Sequence, residues 1–468
     1  MSTSNSVPSK PAGKHAIVYG GSMAGLTAAG MLARHFERVT LVERDRFEEG
    51  PKHRKGVPQA QHYHGLLMRG IDILGAVFPG IKEDLRAAGA QRLDMCMDIA
   101  WYKGDVWCPR FPSTIDHLSL SRPLLEWLVR KRLLSLPNVR ILDGRETASF
   151  LTSADNSRIT GVRLQAPGGG QGETLEGDLV VDATGRGSRT PQWLEALGFP
   201  RVEEKRIQIE VGYATRTFRL PADLKPEWKL LSLTPDLPKT RRFGLVASIE
   251  DGHFMVCLGG WLGEHPPTDE AGFLEFARSL PQPHIHEVLR LAEPLSPISF
   301  YRFPHHQRRH YERMSRFPEG LVVVGDAVCS VNPIYGQGIT IGALQTEALE
   351  ECLRQGLDGV SQRYRRRLEK TLAVPWTLAT AGDLRFPEVQ GERPRGFALT
   401  NWLGDHFQRL ASHDHEAQLT FVRVMHMLEE PTAMFSPHMV LKMLVTRPAA
   451  SAPNRGPELL AASRSQAA

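Results

Sequence analysis

Three clusters of glycine, acid and polar residues, far apart in the 468-residue chain, have the types and spacing to grip a dinucleotide. Gly20-Gly21-Ser22-Met23-Ala24-Gly25 stands near the start, and Asp182-Ala183-Thr184-Gly185 in the middle. Gly325-Asp326 and Asn332-Pro333-Ile334-Tyr335-Gly336-Gln337-Gly338 come late. A glycine turn between strand and helix points backbone N–H groups, backed by the helix dipole, at a pyrophosphate. Gly20 makes the tight turn, and Gly25 lets the helix pack close to the strand. Ser22 replaces the middle glycine of the fingerprint and can donate its hydroxyl to a phosphate; Gly21 and Ala24 complete the cradle. Glu43 falls where an acid meets a ribose hydroxyl pair and would repel a 2′-phosphate, a charge argument that the adjacent Arg44 softens. FAD and NAD both suit this unit taken alone.

These groups need an α/β frame. Residues 16–19 and 39–42 are apolar runs of the kind buried in a parallel sheet, and 26–33 has helical spacing between them. Residues 179–182 form a further strand, preceded by 160–164 and by a glycine-rich hairpin tip at 167–172. A last strand at 321–324 runs into Gly325-Asp326, and a helix over 339–349 is approached through glycines.

With all three clusters in this order, the chain resembles the flavoprotein monooxygenases of the p-hydroxybenzoate hydroxylase type, from about Lys14 to about Thr371. The resemblance implies FAD and a Rossmann-like FAD-binding domain of the glutathione reductase type. It implies that Asp326 binds the ribityl chain and that Pro333, Gly336, Gln337 and Gly338 lie against the isoalloxazine ring. It also nominates Arg122, in Ser121-Arg122-Pro123-Leu124-Leu125-Glu126-Trp127-Leu128, as a cofactor contact. One departure bears on reduction: Thr184-Gly185 stands where the aromatic hydroxylases carry Asp-Gly. NADPH or NADH is the electron source, and delivery through a separate flavin reductase is a live option. A second stretch, Gly56-Val57-Pro58-Gln59-Ala60-Gln61-His62, resembles a loop of bacterial flavin epoxidases acting on polyketide alkenes, the polyether-type enzymes. It makes Gln59, His62 and His64 the catalytic candidates. The same histidines also read as structural, and no acid or cysteine at ligand spacing supports a metal site.

Four regions follow. Residues 14–200 and 299–375 build the FAD-binding domain, 201–298 a mostly antiparallel substrate sheet, and 376–446 a helical cap; 1–13 and 447–468 are expected to be disordered. In the sheet, alternation over Ile207, Ile209, Val211, Tyr213, Thr215 and Thr217 reads as a strand, and Asp251-Gly252 as a hairpin turn. Met425, Met427, Met434, Met439 and Met443 are candidates to line a channel. A hydrophobic content of 41% is globular, a net charge of +5 is too small and mixed for nucleic acid, and no apolar run implies integral membrane association. Cys96, Cys108, Cys257, Cys329 and Cys352 are odd in number and scattered, which with a polar N-terminus favours a cytoplasmic setting.

The expected activity is monooxygenation, in which a flavin C4a-hydroperoxide epoxidises or hydroxylates a lipophilic small molecule with O₂, in secondary metabolism. With no general base marked in the sequence, epoxidation is preferred. The alternatives on this fold are a flavin-dependent halogenase, though Trp101 and Trp107 do not form its Trp-x-Trp-x-Ile-Pro stretch, and a prenyl-chain double-bond reductase.

Overall fold

The structure is a computed structural model that describes residues 11–165, 172–445 and 456–457. A five-stranded parallel sheet runs in the order Leu321–Val323, Leu179–Asp182, Gly13–Tyr19, Phe36–Val42, Val139–Leu142. Ala16, Ile17, Val18, Val39, Leu41 and Leu179 to Val181 are all buried, because helices such as Met23–Leu32 pack against the sheet and the strand Ile159–Leu164 of a small antiparallel sheet packs against it too. That is why these strands read as unbroken apolar runs. The helix Met23–Leu32 starts directly at the glycine turn, three residues earlier than its spacing suggested, and packs against the sheet and the helix Gly338–Leu353. Gly13 already belongs to the first strand, and residues 1–10 lie outside the described residues.

Over this frame lies the antiparallel sheet. Its core strands are Glu204–Arg219, Leu230–Leu233, Arg242–Ser248 and His253–Gly260. The sheet reaches beyond 201–298 on both sides: Ile99–Lys103 and Val106–Trp107 join one edge and Ser299–Arg309 the other. The expected hairpin turns at Asp251 and Gly252, which take φ of +59° and +68°. A bulge between Gln208 and Val211 interrupts the simple alternation of the long strand. Thr147–Thr152, Ile159–Leu164 and Thr174–Glu176 form a separate small sheet, and the tip between the last two is outside the described residues from 166 to 171.

The helix Val360–Asp383 continues through Pro375, so the domain boundary drawn there falls inside it. Leu368, Leu372, Pro375 and Ala379 form one buried face, and that packing outweighs the hydrogen bond that the proline removes. The basic run within it is not a plain solvated face: Arg365 donates to the Tyr311 and Met314 carbonyls and stacks on Phe317. Three cap helices follow, Phe397–Ala411, His415–Met425 and Pro437–Val445. The rest of the tail is undescribed apart from 456–457. Among the described residues, no helix is long and apolar enough to cross a membrane.

Candidate functional site

A crevice of about 1020 Å³ runs from the carboxyl ends of the parallel strands, under the antiparallel sheet, to the cap helices. Ligands sit at this end of open α/β sheets. Gly20, Gly21, Ser22, Ala24, Glu43, Arg44, Arg122, Asp326, Pro333, Gly336 and Gly338 line it, so residues more than three hundred positions apart meet in one groove. Gly25 and Gln337 stand behind the wall. Gly25 touches the turn from the helix side; Gln337 is fully buried, and both of its amide atoms lack a partner.

At the turn, Gly20 has φ of +104°, and a side chain there would run into the Ala183 carbonyl. Glu43 is buried and accepts hydrogen bonds from Gly21 N at 2.6 Å and Asp45 N at 2.9 Å. Ser22 is less free than its position suggested. Its Oγ accepts from Arg122 Nη2 at 2.9 Å and donates to Glu126 Oε2 at 3.3 Å. Arg54, which no sequence pattern marked, donates from Nε to Glu126 Oε1 at 2.8 Å and from Nη2 to the Gly21 carbonyl at 3.2 Å. Two guanidiniums and one carboxylate therefore brace the turn. Arg122 Nη1 is buried with no protein partner, a donor left over at the groove. Backbone N–H groups and a spare guanidinium as donors, with the carboxylates at 43 and 326 as acceptors for hydroxyls, make a set of partners that fits FAD.

Asp182 is committed to the fold. Fully buried, it accepts from Thr184 N at 2.9 Å, Thr184 Oγ1 at 2.6 Å, Thr190 Oγ1 at 2.6 Å and Ser188 Oγ. Asp326 lies farther along the groove. Burial pushes its carboxyl above the usual range, while Arg186, Ser330 and Arg122 oppose that rise. Arg186 also went unmarked in the sequence; it donates to Ser330 Oγ at 3.0 Å and sits over the Phe303 ring.

Behind the 332–338 loop, the fully buried Asp383 collects four donors. Trp261 Nε1 at 2.9 Å and Tyr335 OH at 2.7 Å reach Oδ1; His306 Nε2 at 2.6 Å and Asn332 Nδ2 at 3.0 Å reach Oδ2. Asn332 N donates to His306 Nδ1 at 3.2 Å, so that nitrogen acts as acceptor while Nε2 donates to Asp383. Tyr213 OH closes the network by donating to Asn332 Oδ1 and accepting from Ile334 N. The end of one helix thus fixes the loop that the resemblance sets against the flavin.

The other half of the crevice is apolar and aromatic, with Trp101, Leu233, Phe243, Phe407, Phe421, Met425 and Met434 in its wall. Met439 is instead core and Met443 packs beside it, while Met427 does not line the crevice. Gln59, His62 and His64 all line it, and two unforeseen imidazoles, His117 and His426, join them. His62 Nδ1 pairs with Thr215 Oγ1 at 2.7 Å, and His64 Nδ1 donates to the His62 carbonyl at 2.8 Å. His426 Nδ1 accepts from Met68 N at 3.1 Å, and its ring meets His117 edge-on. No cluster of three or more metal-ligating side chains occurs among the described residues.

Burial pulls all four imidazoles down. His62 falls to about 4, with His53 adding; His64 to about 3, with Arg122 adding; His117 to about 4; and His426 to about 3, with His117 adding. An unfolded histidine titrates near 6.5, so between these values the unfolded chain binds more protons than the folded one. Stability is then fully present above about pH 6.5 and is lost as pH falls toward 4, by up to about 1.4 kcal/mol per residue per pH unit. Urea midpoints should drop between pH 7 and pH 5, and His64→Gln with His426→Gln should flatten that slope. A parent protein equally stable at both pH values would contradict this account.

The comparisons with known proteins agree with this geometry. Residues 16–191 match the family described as FAD dependent oxidoreductase. The chain is 33% identical to Protein Rv3254 of Mycobacterium tuberculosis, over 83% of this chain and 85% of that one. It is 26% identical to a kynurenine 3-monooxygenase of Salinispora arenicola, over 72% of each. Among solved structures, the flavin-dependent brominase Bmp2 superposes with a TM-score of 0.61, at 14% identity, over 88% of this chain and 94% of that one. The chain belongs to the FAD-dependent oxidoreductase family, and it is an enzyme of that family.

Proposed function

We propose that this enzyme is a monooxygenase that hydroxylates or epoxidises a lipophilic, electron-rich small molecule in secondary metabolism. The observation that carries this reading is the continuity of the dinucleotide groove with an aromatic-walled chamber that holds uncharged imidazoles. Bound FAD supplies two-electron redox chemistry and the activation of dioxygen. The chain's part is to hold the cofactor, orient the substrate and keep water out. In net terms one oxygen atom enters the substrate, the other leaves as water, and NADPH or NADH supplies the two electrons.

The preference for epoxidation rested on the absence of a base beside the substrate. With its Nδ1 proton given to His62, His64 presents Nε2 as a lone pair, too weakly basic at about 3 to take a phenolic proton but able to accept a hydrogen bond from a phenolic hydroxyl and so orient the ring. Hydroxylation of an electron-rich ring whose hydroxyl His64 would hold is the first reading, in keeping with a relative named as a monooxygenase. Epoxidation is the second, favoured by the Gly-Val-Pro-Gln loop, whose Gln59 and His62 line the crevice. Asp182 is saturated by its own turn and leaves no acid at that point for a nicotinamide partner, which favours a separate reductase.

The test is ¹⁸O₂ labelling of the reduced enzyme with phenolic and polyene substrates, with and without halide and with and without an added flavin reductase. One labelled oxygen per product supports the proposal. Products that need halide, or saturation of a double bond without oxygen, would move the assignment to a halogenase or a reductase. Rapid stoichiometric reduction by NADPH alone would remove the reductase requirement.

The cofactor placement has its own test. Glu43→Ala and Asp326→Ala should each weaken FAD binding by roughly 1.5–3 kcal/mol, the value of a hydrogen bond to a charged group. Equilibrium dialysis that finds both variants holding FAD as tightly as the parent would dismiss these assignments.

A further inference from the structure

We infer that Lys103 is the recognition point for a carboxylate on the substrate, whose apolar body fills the chamber between the antiparallel sheet and the cap helices. Lys103 closes the strand Ile99–Lys103 and lines the crevice at its cap end. Its ammonium stands 3.7 Å from the centre of the Phe421 ring and 5.3 Å from that of Trp101. The Trp101 ring is itself fixed, since Nε1 donates to Thr234 Oγ1 at 2.7 Å. Two aromatic faces therefore aim the cation into the chamber.

Among the described residues, no carboxylate pairs with it. The two acids that line the same end are engaged elsewhere, Asp405 by Arg385 at 2.8 Å and Asp236 by Lys239 at 2.6 Å. Burial is the main influence pulling the lysine down to about 8; Cys108 opposes that fall and Arg385 adds to it. A desolvated cation without a counter-ion is costly, and aromatic faces return only part of what water gave it. A ligand carboxylate would supply the missing partner. No group at the flavin end of the crevice is needed for this role, so the charged end of the substrate points away from the ring and its electron-rich portion toward it.

This rests on reading the chamber as the substrate site, so the test measures binding alone, on oxidised FAD-loaded protein with no reductant. Its result does not depend on whether oxygen is ever transferred. The probes are dodecanoate against dodecanamide, and naphthoate against naphthamide, by isothermal calorimetry. The parent should bind each acid about tenfold or more tightly than its amide. Lys103→Gln should remove that preference while keeping FAD content and amide affinity, and Lys103→Arg should restore it. Equal affinity for acid and amide in the parent, a preference that survives in Lys103→Gln, or failure of every acid to bind would each overturn the inference.

Discussion

Gly25→Ala is expected to leave a chain that folds its sheets but no longer retains FAD. A methyl group at this position would be driven into the Gly20 carbonyl oxygen and would press on Ala183. Neither can yield by rotating a side chain, because the carbonyl is backbone and the Ala183 methyl sits directly on its Cα with no torsion that would move it away. The helix Met23–Leu32 would have to withdraw from the strand Gly13–Tyr19, carrying its first-turn N–H groups with it. Those groups are what the pyrophosphate needs. Overpacking of this kind costs about 1–3 kcal/mol in stability, which a chain of this size can survive. Loss of the anion cradle should weaken FAD by on the order of a hundredfold, about 2.7 kcal/mol. Gly75→Ala, in a helix whose nearest outside atom is the flexible Lys82 tail, serves as control and should bind FAD like the parent. Flavin absorbance after gel filtration reads both. Retention of stoichiometric FAD by Gly25→Ala would mean that the turn does not cradle the phosphates.

That such a prediction can be made from six residues explains what was legible in the chain. The turn at Gly20 to Gly25, the acid at Glu43 and the Asp251-Gly252 hairpin are local: each depends on neighbours a few positions away, so type and spacing suffice. The unread groups are those whose partners lie far off in sequence. Arg54 is explained by Glu126, 72 residues on. Asp383 meets donors between 48 and 122 residues distant, and it looked like an ordinary polar helix end. His117 and His426 acquire meaning only when the cap folds over the sheet edge and seals them from water. Pro375 misled in the other direction. A proline is a sound local stop signal, yet a buried face running from Leu368 to Ala379 carried the helix past it. Ser22 shows a subtler limit, since its hydroxyl is held by Arg122 and Glu126, which lie 100 and 104 positions away.

Asp383 is also where a single substitution should cost the most stability. Asp383→Ala would strand four donors, from Trp261, Tyr335, His306 and Asn332, in a site that is itself fully buried. Removing one member of a buried charged network costs roughly 3–5 kcal/mol. The isosteric Asp383→Asn should not rescue it. Two donors converge on Oδ2 and two on Oδ1, so the amide NH₂ must face donors whichever way it is turned. His306 cannot adapt by moving its proton, because its Nδ1 already accepts from Asn332 N. A loss of about 2–3 kcal/mol is therefore expected for the asparagine variant, against less than about 0.5 kcal/mol for an exposed acid such as Glu416. The network also holds Asn332 and Tyr335 in the loop ahead of Gly336. If that loop carries the flavin ring, the surviving folded fraction of both Asp383 variants should show a shifted visible flavin spectrum and a changed reduction potential, readouts that a distant packing defect would leave alone. Urea midpoints and spectroelectrochemistry on the FAD-loaded protein measure the two effects. Parent-like stability in Asp383→Asn would refute the hydrogen-bond assignment, whereas lost stability with an unaltered flavin would confine Asp383 to the core and detach it from the site.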